Sequence, residues 1–192
     1  IKGAANLEGV ALLEDGHVAV LDERQRKLSI FRLDADTREL DSAQAVQQIE
    51  LGTVGGSNKG FEGLAWDKRN QRLLVANEKN PLRLFSLACD GRQVSGPLQA
   101  LGDLDDYLTD VAGLSVDPRS GQLLALSQES HLLLGLDPQL QAQSFLALLP
   151  GLNGLTRRVP QAEGLALDNA GNLYVVSERN LFFAFRREAR VP

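Results

Sequence analysis

Residues 160–187 read PQAEGLALDNAGNLYVVSERNLFFAFRR, and residues 60–87 repeat them in outline as GFEGLAWDKRNQRLLVANEKNPLRLFSL. Each copy opens a β-like run on a Glu-Gly pair, passes through a turn, and closes the next run on a second glutamate. Two further copies follow the same plan: NLEGVALLEDGHVAVLDER at 6–24 and VAGLSVDPRSGQLLALSQES at 111–130. Their glycines, Gly9, Gly63, Gly113 and Gly164, stand 54, 50 and 51 residues apart. A period of about 40 to 50 residues built from short strands is the signature of propeller blades.

Within each copy, Asp, Asn, Gly and Pro punctuate the apolar runs at EDG, DKRNQ, DPRSG and DNAGN, which is a hairpin signal. A third run follows (KLSIFRLD, LRLFSLA, HLLLGLD, LFFAFRR), and the first three copies add a more polar fourth (AVQQIEL, SGPLQAL, AQSFLAL). No stretch sustains a helical period. The pattern predicts an all-β fold, a β-propeller of four-stranded antiparallel blades. It forms one domain over residues 1–192, with repeats starting near 8, 62, 112 and 163. The fourth copy stops after its third strand, at FAFRREARVP. Because the chain contains no methionine, an upstream segment is expected. That segment should carry the strand, or the whole blade, that closes the ring, together with any export signal or membrane anchor.

The glutamates recur at two points of the unit. In a propeller the first strand lines the channel and starts at one mouth, and the second strand returns to that mouth. Glu8 with Glu23, Glu62 with Glu78, and Glu163 with Glu178 each centre on a hairpin turn, so the strands are expected to bring each pair side by side. The third repeat has Ala112 and Gln128 there, with a carboxylate at Asp110 instead. Two like charges 4 Å apart repel by about 4 kcal/mol at an effective dielectric near 20. A convergent set therefore needs protonation or a cation. An all-oxygen, carboxylate-rich site suits Ca²⁺, whereas two scattered histidines do not make a zinc site. The competing reading is solvated strand-end charge, since a base follows each second glutamate: Arg24, Lys79 and Arg179. The recurring glycines are read as points of close backbone approach at the crowded channel.

Other signals narrow the classes. The formal net charge of −5 argues against nucleic-acid binding. The longest apolar run, SFLALLPGL, falls well short of a membrane helix, and a single cysteine, Cys89, excludes an internal disulfide. GTVGGSNKG at 52–60 lacks Walker spacing and precedes a strand, so it is read as a connection between blades. Trp66 is read as packing. No G-x-S-x-G elbow makes Ser127, Ser130 or Ser177 a nucleophile. His17 sits at the turn away from the glutamates, while His131 begins a third strand on their side.

The stretches LEGVALLEDGHVAVLDER, NKGFEGLAWDKRNQRLLVANEKNP, AGLSVDPRSGQLLALSQES and PQAEGLALDNAGNLYVVSERNLFFAF resemble the SdiA-regulated family, bacterial propellers distantly related to NHL-repeat proteins. The resemblance spans nearly the whole chain. It implies a five-bladed propeller with a calcium site, usually periplasmic or held by an N-terminal membrane anchor, and implies no established activity. The third repeat departs from the family in carrying Ala112 where a small hydroxyl residue is common. Two functional classes follow. One is a calcium-binding extracytoplasmic module or scaffold whose channel mouth receives a small molecule or a protein. The other is a calcium-dependent hydrolase of the esterase or lactonase type. Whether the protein is an enzyme is left open, because the sequence offers no general base besides spare carboxylates and His131.

Overall fold

The structure is a computed structural model describing residues 1–54 and 60–187. Most of the glycine-rich run 52–60 thus lies outside the described residues, as does the end of the chain after Arg187. Among the described residues, fifteen strands form four antiparallel sheets arranged as a β-propeller, and the one helical element is a 3₁₀ turn at Ser42–Gln44.

The first sheet is β1 (Leu7–Leu12), β2 (His17–Asp22), β3 (Lys27–Arg32) and β4 (Gln47–Glu50), paired in that order. The second is β5 (Phe61–Asp67), β6 (Arg72–Asn77), β7 (Arg83–Cys89) and β8 (Val94–Asp103). The third is β9 (Gly113–Val116), β10 (Leu123–Ser127), β11 (Leu132–Leu136) and β12 (Ala142–Ala147). The fourth has three strands, β13 (Ala162–Leu167), β14 (Leu173–Ser177) and β15 (Leu181–Phe185). The repeats read from the sequence are therefore the blades, and the last blade is a strand short among the described residues.

The core lies between blades. Alternation along each strand gives every sheet two apolar faces. Leu21, Leu28, Ile30, Leu73 and Leu87 fill the first interface; Leu74, Leu84, Leu104 and Leu136 fill the second; Leu126, Leu148, Leu173 and Val175 fill the third. Most of these are almost fully buried, and each such leucine stabilises by about 1.5–3 kcal/mol. At the axis the inner strands meet in the order β1, β5, β9, β13. The glycines make this approach possible. A Cβ at Gly9 would lie 2.8 Å from Leu64 Cβ, and one at Gly63 would lie 2.7 Å from Leu114 Cγ.

The outer faces of the first and fourth sheets have no blade against them among the described residues. Val10 and Leu12 are 68% and 67% exposed, and Val176 and Phe182 are 48% and 65% exposed. Tyr174 and Phe182 stack there, with ring centroids 5.8 Å apart.

At the other end of the hairpins, the aspartates of the turn sequences serve the backbone. Asp168 Oδ1 accepts from the N–H of Asn172 at 2.8 Å, and Asp67 Oδ1 from that of Asn70 at 3.2 Å. The Asp67 carboxylate also holds Arg72 Nε at 2.9 Å.

A carboxylate cluster at the channel mouth

The pairing of glutamates differs from simple hairpin register. In β1 and β2, Leu7 faces Asp22 and Gly9 faces Leu21, which leaves Glu8 as the extra residue of a β-bulge. Glu62 occupies the same place between Phe61–Asn77 and Gly63–Ala76, and Glu163 between Ala162–Ser177 and Gly164–Val176. The side-by-side pairing expected from hairpin centring is therefore corrected. The bulge shifts register, and the second glutamates lie one residue beyond the ends of β2, β6 and β14. A bulge re-aims its extra residue and increases the local twist, which here turns three glutamates to one end of the channel.

The second glutamates are tied back by backbone bonds. The N–H groups of Glu23, Glu78 and Glu178 donate to the carbonyls of Asn6, Gly60 and Gln161 at 2.9, 2.9 and 3.0 Å. Immediately before each stands a buried polar residue: Asp22, Asn77, Ser127 (before Gln128) and Ser177. Asp22 accepts from the N–H groups of Ala5 and Gln25 at 2.6 and 2.9 Å. Asn77 donates to the carbonyls of Lys79 and Pro81 at 2.9 and 2.7 Å. Ser177 donates to Pro160 O. These anchors pin the loops that carry the glutamates. Their signal was present in the sequence as the small polar residue of LDE, ANE, LSQ and VSE, but sequence reasoning missed it.

Three of the seven candidate carboxylates converge most closely: ligand oxygens of Glu23, Glu62 and Glu78 all lie within 4.8 Å of one another. Glu23 reaches across from the first blade, accepting from Gly60 N–H at 3.0 Å and from Asn6 Nδ2 at 2.9 Å. Glu78 is buried, with Oε1 3.4 Å from Lys79 Nζ, which in turn lies 2.6 Å from Glu129 Oε1. Lys79 thus pairs with the glutamate it follows, but that glutamate is buried rather than a solvated strand-end charge. Among the described residues such pairing does not extend to Arg24 or Arg179, which make no ion pair with Glu23 or Glu178.

Glu8, Glu62 and Glu163 line the inner wall of a channel cavity of about 310 Å³ that also touches Val10, Val176 and Phe182. Burial raises all three carboxyl groups, and neighbouring carboxylates raise them further. Glu62 is pushed up to about 8 by burial and by the charges of Glu78, Glu8, Glu23 and Glu163. Glu8 rises through burial and Glu23, partly opposed by the Asn6 amide. Glu163 rises through burial, then Glu178, Glu8 and Asp110. Glu178 is exposed and accepts from Gln161 Nε2 at 2.8 Å. Asp110 is held differently. It is buried, and its oxygens accept the Ser127 hydroxyl and the N–H groups of Gln128 and Glu129, the latter two at 3.2 and 3.1 Å.

The remaining sequence candidates play other parts. Trp66 packs against the first interface and donates from Nε1 to Glu14 at 3.3 Å. Cys89 is a buried free thiol. His17 donates from Nδ1–H to Glu14 O, 3.0 Å away at the turn. His131 lines a separate cavity beside the mouth.

Blade order and mouth chemistry together define a β-propeller with an acidic end to its channel. The chain belongs to the SdiA-regulated family, whose profile matches residues 1–186. The fold is also similar to that of solved structures. A crystal structure of Myxococcus xanthus glutaminyl cyclase matches with TM-score 0.64 and 20% identity, over 93% of this chain and 64% of that one. A chain of a nidogen/laminin complex matches with TM-score 0.62 and 18% identity, over 95% of this chain and 60% of that one. This chain therefore spans somewhat less than two thirds of each of these structures.

Proposed function

We propose that the channel mouth is a Ca²⁺ site and that the protein acts as an extracytoplasmic binding or scaffold module, periplasmic or membrane-anchored, whose mouth receives a small molecule or a protein. The approach of Glu23, Glu62 and Glu78 within 4.8 Å carries the reading. Only hard oxygen donors are gathered there, the donor set that suits calcium, and the mutual repulsion that raises Glu62 is what a divalent cation offsets. Glu62, Glu23 and Glu78 would hold the ion, with Glu8 and Glu163 contributing from the neighbouring bulges. Glu178 and Asp110 are assigned to orienting the site, since Asp110 already satisfies Ser127 and two backbone N–H groups. A bound cation would supply charge neutralisation and a coordination point for an oxygen-bearing ligand.

The uncovered faces at Val10, Leu12, Val176 and Phe182 fit a further blade between the fourth and first sheets, which would make the ring five-bladed.

Calorimetric titration with Ca²⁺ tests the metal assignment. A saturable site in the wild type, weakened in Glu163→Gln and lost in Glu62→Gln, is expected. No binding by the wild type would reduce the glutamates to strand-end charge. Screening ester and lactone substrates with and without chelator separates the module from a calcium-dependent hydrolase; calcium-dependent turnover would favour the latter.

A further inference from the structure

Beside the carboxylate mouth, between the third and fourth sheets, lies a second cavity of about 420 Å³ with the opposite charge. Arg157, Arg158 and Arg179 line it with His131, and Leu181 and Pro160 supply an apolar wall. Its position is fixed by two side chains of the mouth. Gln128 is the third-blade counterpart of the second glutamates, and Gln161 donates to Glu178 at 2.8 Å. The volume falls in the range of about 300–1,000 Å³ typical of small-molecule sites.

The three guanidinium groups are not neutralising the mouth. None makes an ion pair among the described residues, whereas Lys79, Arg72, Arg83, Arg92 and Arg119 each pair with a carboxylate. In a chain of net charge −5, three arginines around one cavity, none of them ion-paired among the described residues, form a local positive field. Arginine presents a planar fork of donors that matches carboxylate and phosphate oxygens bidentately. Arg157 and Arg158 come from the loop before β13 and Arg179 from the turn after β14, so a ligand there is gripped from two segments.

We propose that this cavity binds a small organic acid, its carboxylate or phosphate head held by Arg157, Arg158 and Arg179 and its apolar part lying on Leu181 and Pro160. The site needs no metal, so it stands or falls separately from the calcium reading.

The test is calorimetric titration with inorganic phosphate and with hexanoate, in buffer stripped of divalent cations by chelating resin. Arg179→Gln, the double variant Arg157→Gln/Arg158→Gln, and Arg38→Gln on a distant exposed loop are compared, with circular dichroism confirming the fold of each. Both probes should saturate one site per chain and compete with each other. Both cavity variants should lose at least about tenfold in affinity, the equivalent of one charge-assisted hydrogen bond, while Arg38→Gln binds as the wild type does. If either probe fails to saturate, if the cavity variants bind unchanged, or if Arg38→Gln loses as much, the assignment is overturned.

Discussion

Replacing Glu62 by glutamine should make the metal-free protein more stable and the calcium-loaded protein relatively less so. Glu62 stands about 8, well above the ordinary glutamate value of 4.5, through burial and four neighbouring carboxylates. A folded pKa above the unfolded one means that the folded chain keeps a proton which the unfolded chain releases. The contribution of Glu62 to metal-free stability is therefore fullest below about pH 4.5 and declines as pH rises toward 8. At about 1.4 kcal/mol per pKa unit the full shift would correspond to about 5 kcal/mol. Glu62 is only half-buried, so solvent screening reduces this to about 1–2 kcal/mol. Glutamine keeps the shape without the charge. At pH 8 in chelator, Glu62→Gln should raise the melting temperature by about 3–6 °C, and at pH 5 the gain should nearly vanish. Calcium should then stabilise the wild type by about 2.7 kcal/mol at 100 times Kd and the variant far less. Scanning calorimetry at both pH values, with and without calcium, reads the crossing. A variant no more stable than the wild type at pH 8 in chelator would refute the electrostatic argument, and equal calcium stabilisation of both would refute the ligand role.

Asp110→Ala removes the acceptor for Ser127 and two backbone N–H groups in a buried place, so urea unfolding should show a loss of about 2–4 kcal/mol; a loss below about 0.5 would show that water replaces the carboxylate. The carboxyl group of Asp168 is held down at about 2 by the Asn172 side chain and backbone and by Tyr174. Its contribution is present above the ordinary aspartate value and lost as pH falls toward 2, so Asp168→Asn should lower stability at pH 7, differ little from the wild type near pH 2, and thereby flatten the acid limb of a stability–pH curve. Val10→Ser with Phe182→Ser should reduce concentration-dependent self-association in light scattering, because the two uncovered faces expose Val10, Leu12, Val176 and Phe182; unchanged association would place the contact elsewhere.

The blades were legible because the Glu-Gly repeat, the turn residues and the period-2 apolar runs all point to one arrangement. Strand order followed from hairpin length alone. The site was legible only in part. That Glu8, Glu62 and Glu163 gather with Glu23 and Glu78 could be read from their recurrence, but the bulge could not, because an extra residue leaves no mark on composition. Glu23's reach to Gly60 was hidden for a related reason, since contacts between blades depend on stagger and no local pattern encodes that. The arginine cavity was invisible because Arg157 and Arg158 lie in a loop outside the repeat and meet Arg179 only after the third and fourth sheets dock.

The links between blades differ around the ring. The first and second sheets are stitched at both ends, by Glu23 to Gly60 N–H at the mouth, by Glu14 to Lys68 at 3.0 Å, and by Gln47 exchanging two bonds with Val94 at 2.9 and 2.8 Å. The second and third are joined by Lys79 to Glu129 at 2.6 Å and by Arg69 to Ser120 O at 2.6 Å. The third and fourth meet chiefly through their apolar cluster. Apolar contact resists compression but slides under shear, whereas directional bonds must break together. Pulled by its ends, the molecule should therefore shed its fourth blade first, at low force, while the first two blades stay locked as a pair.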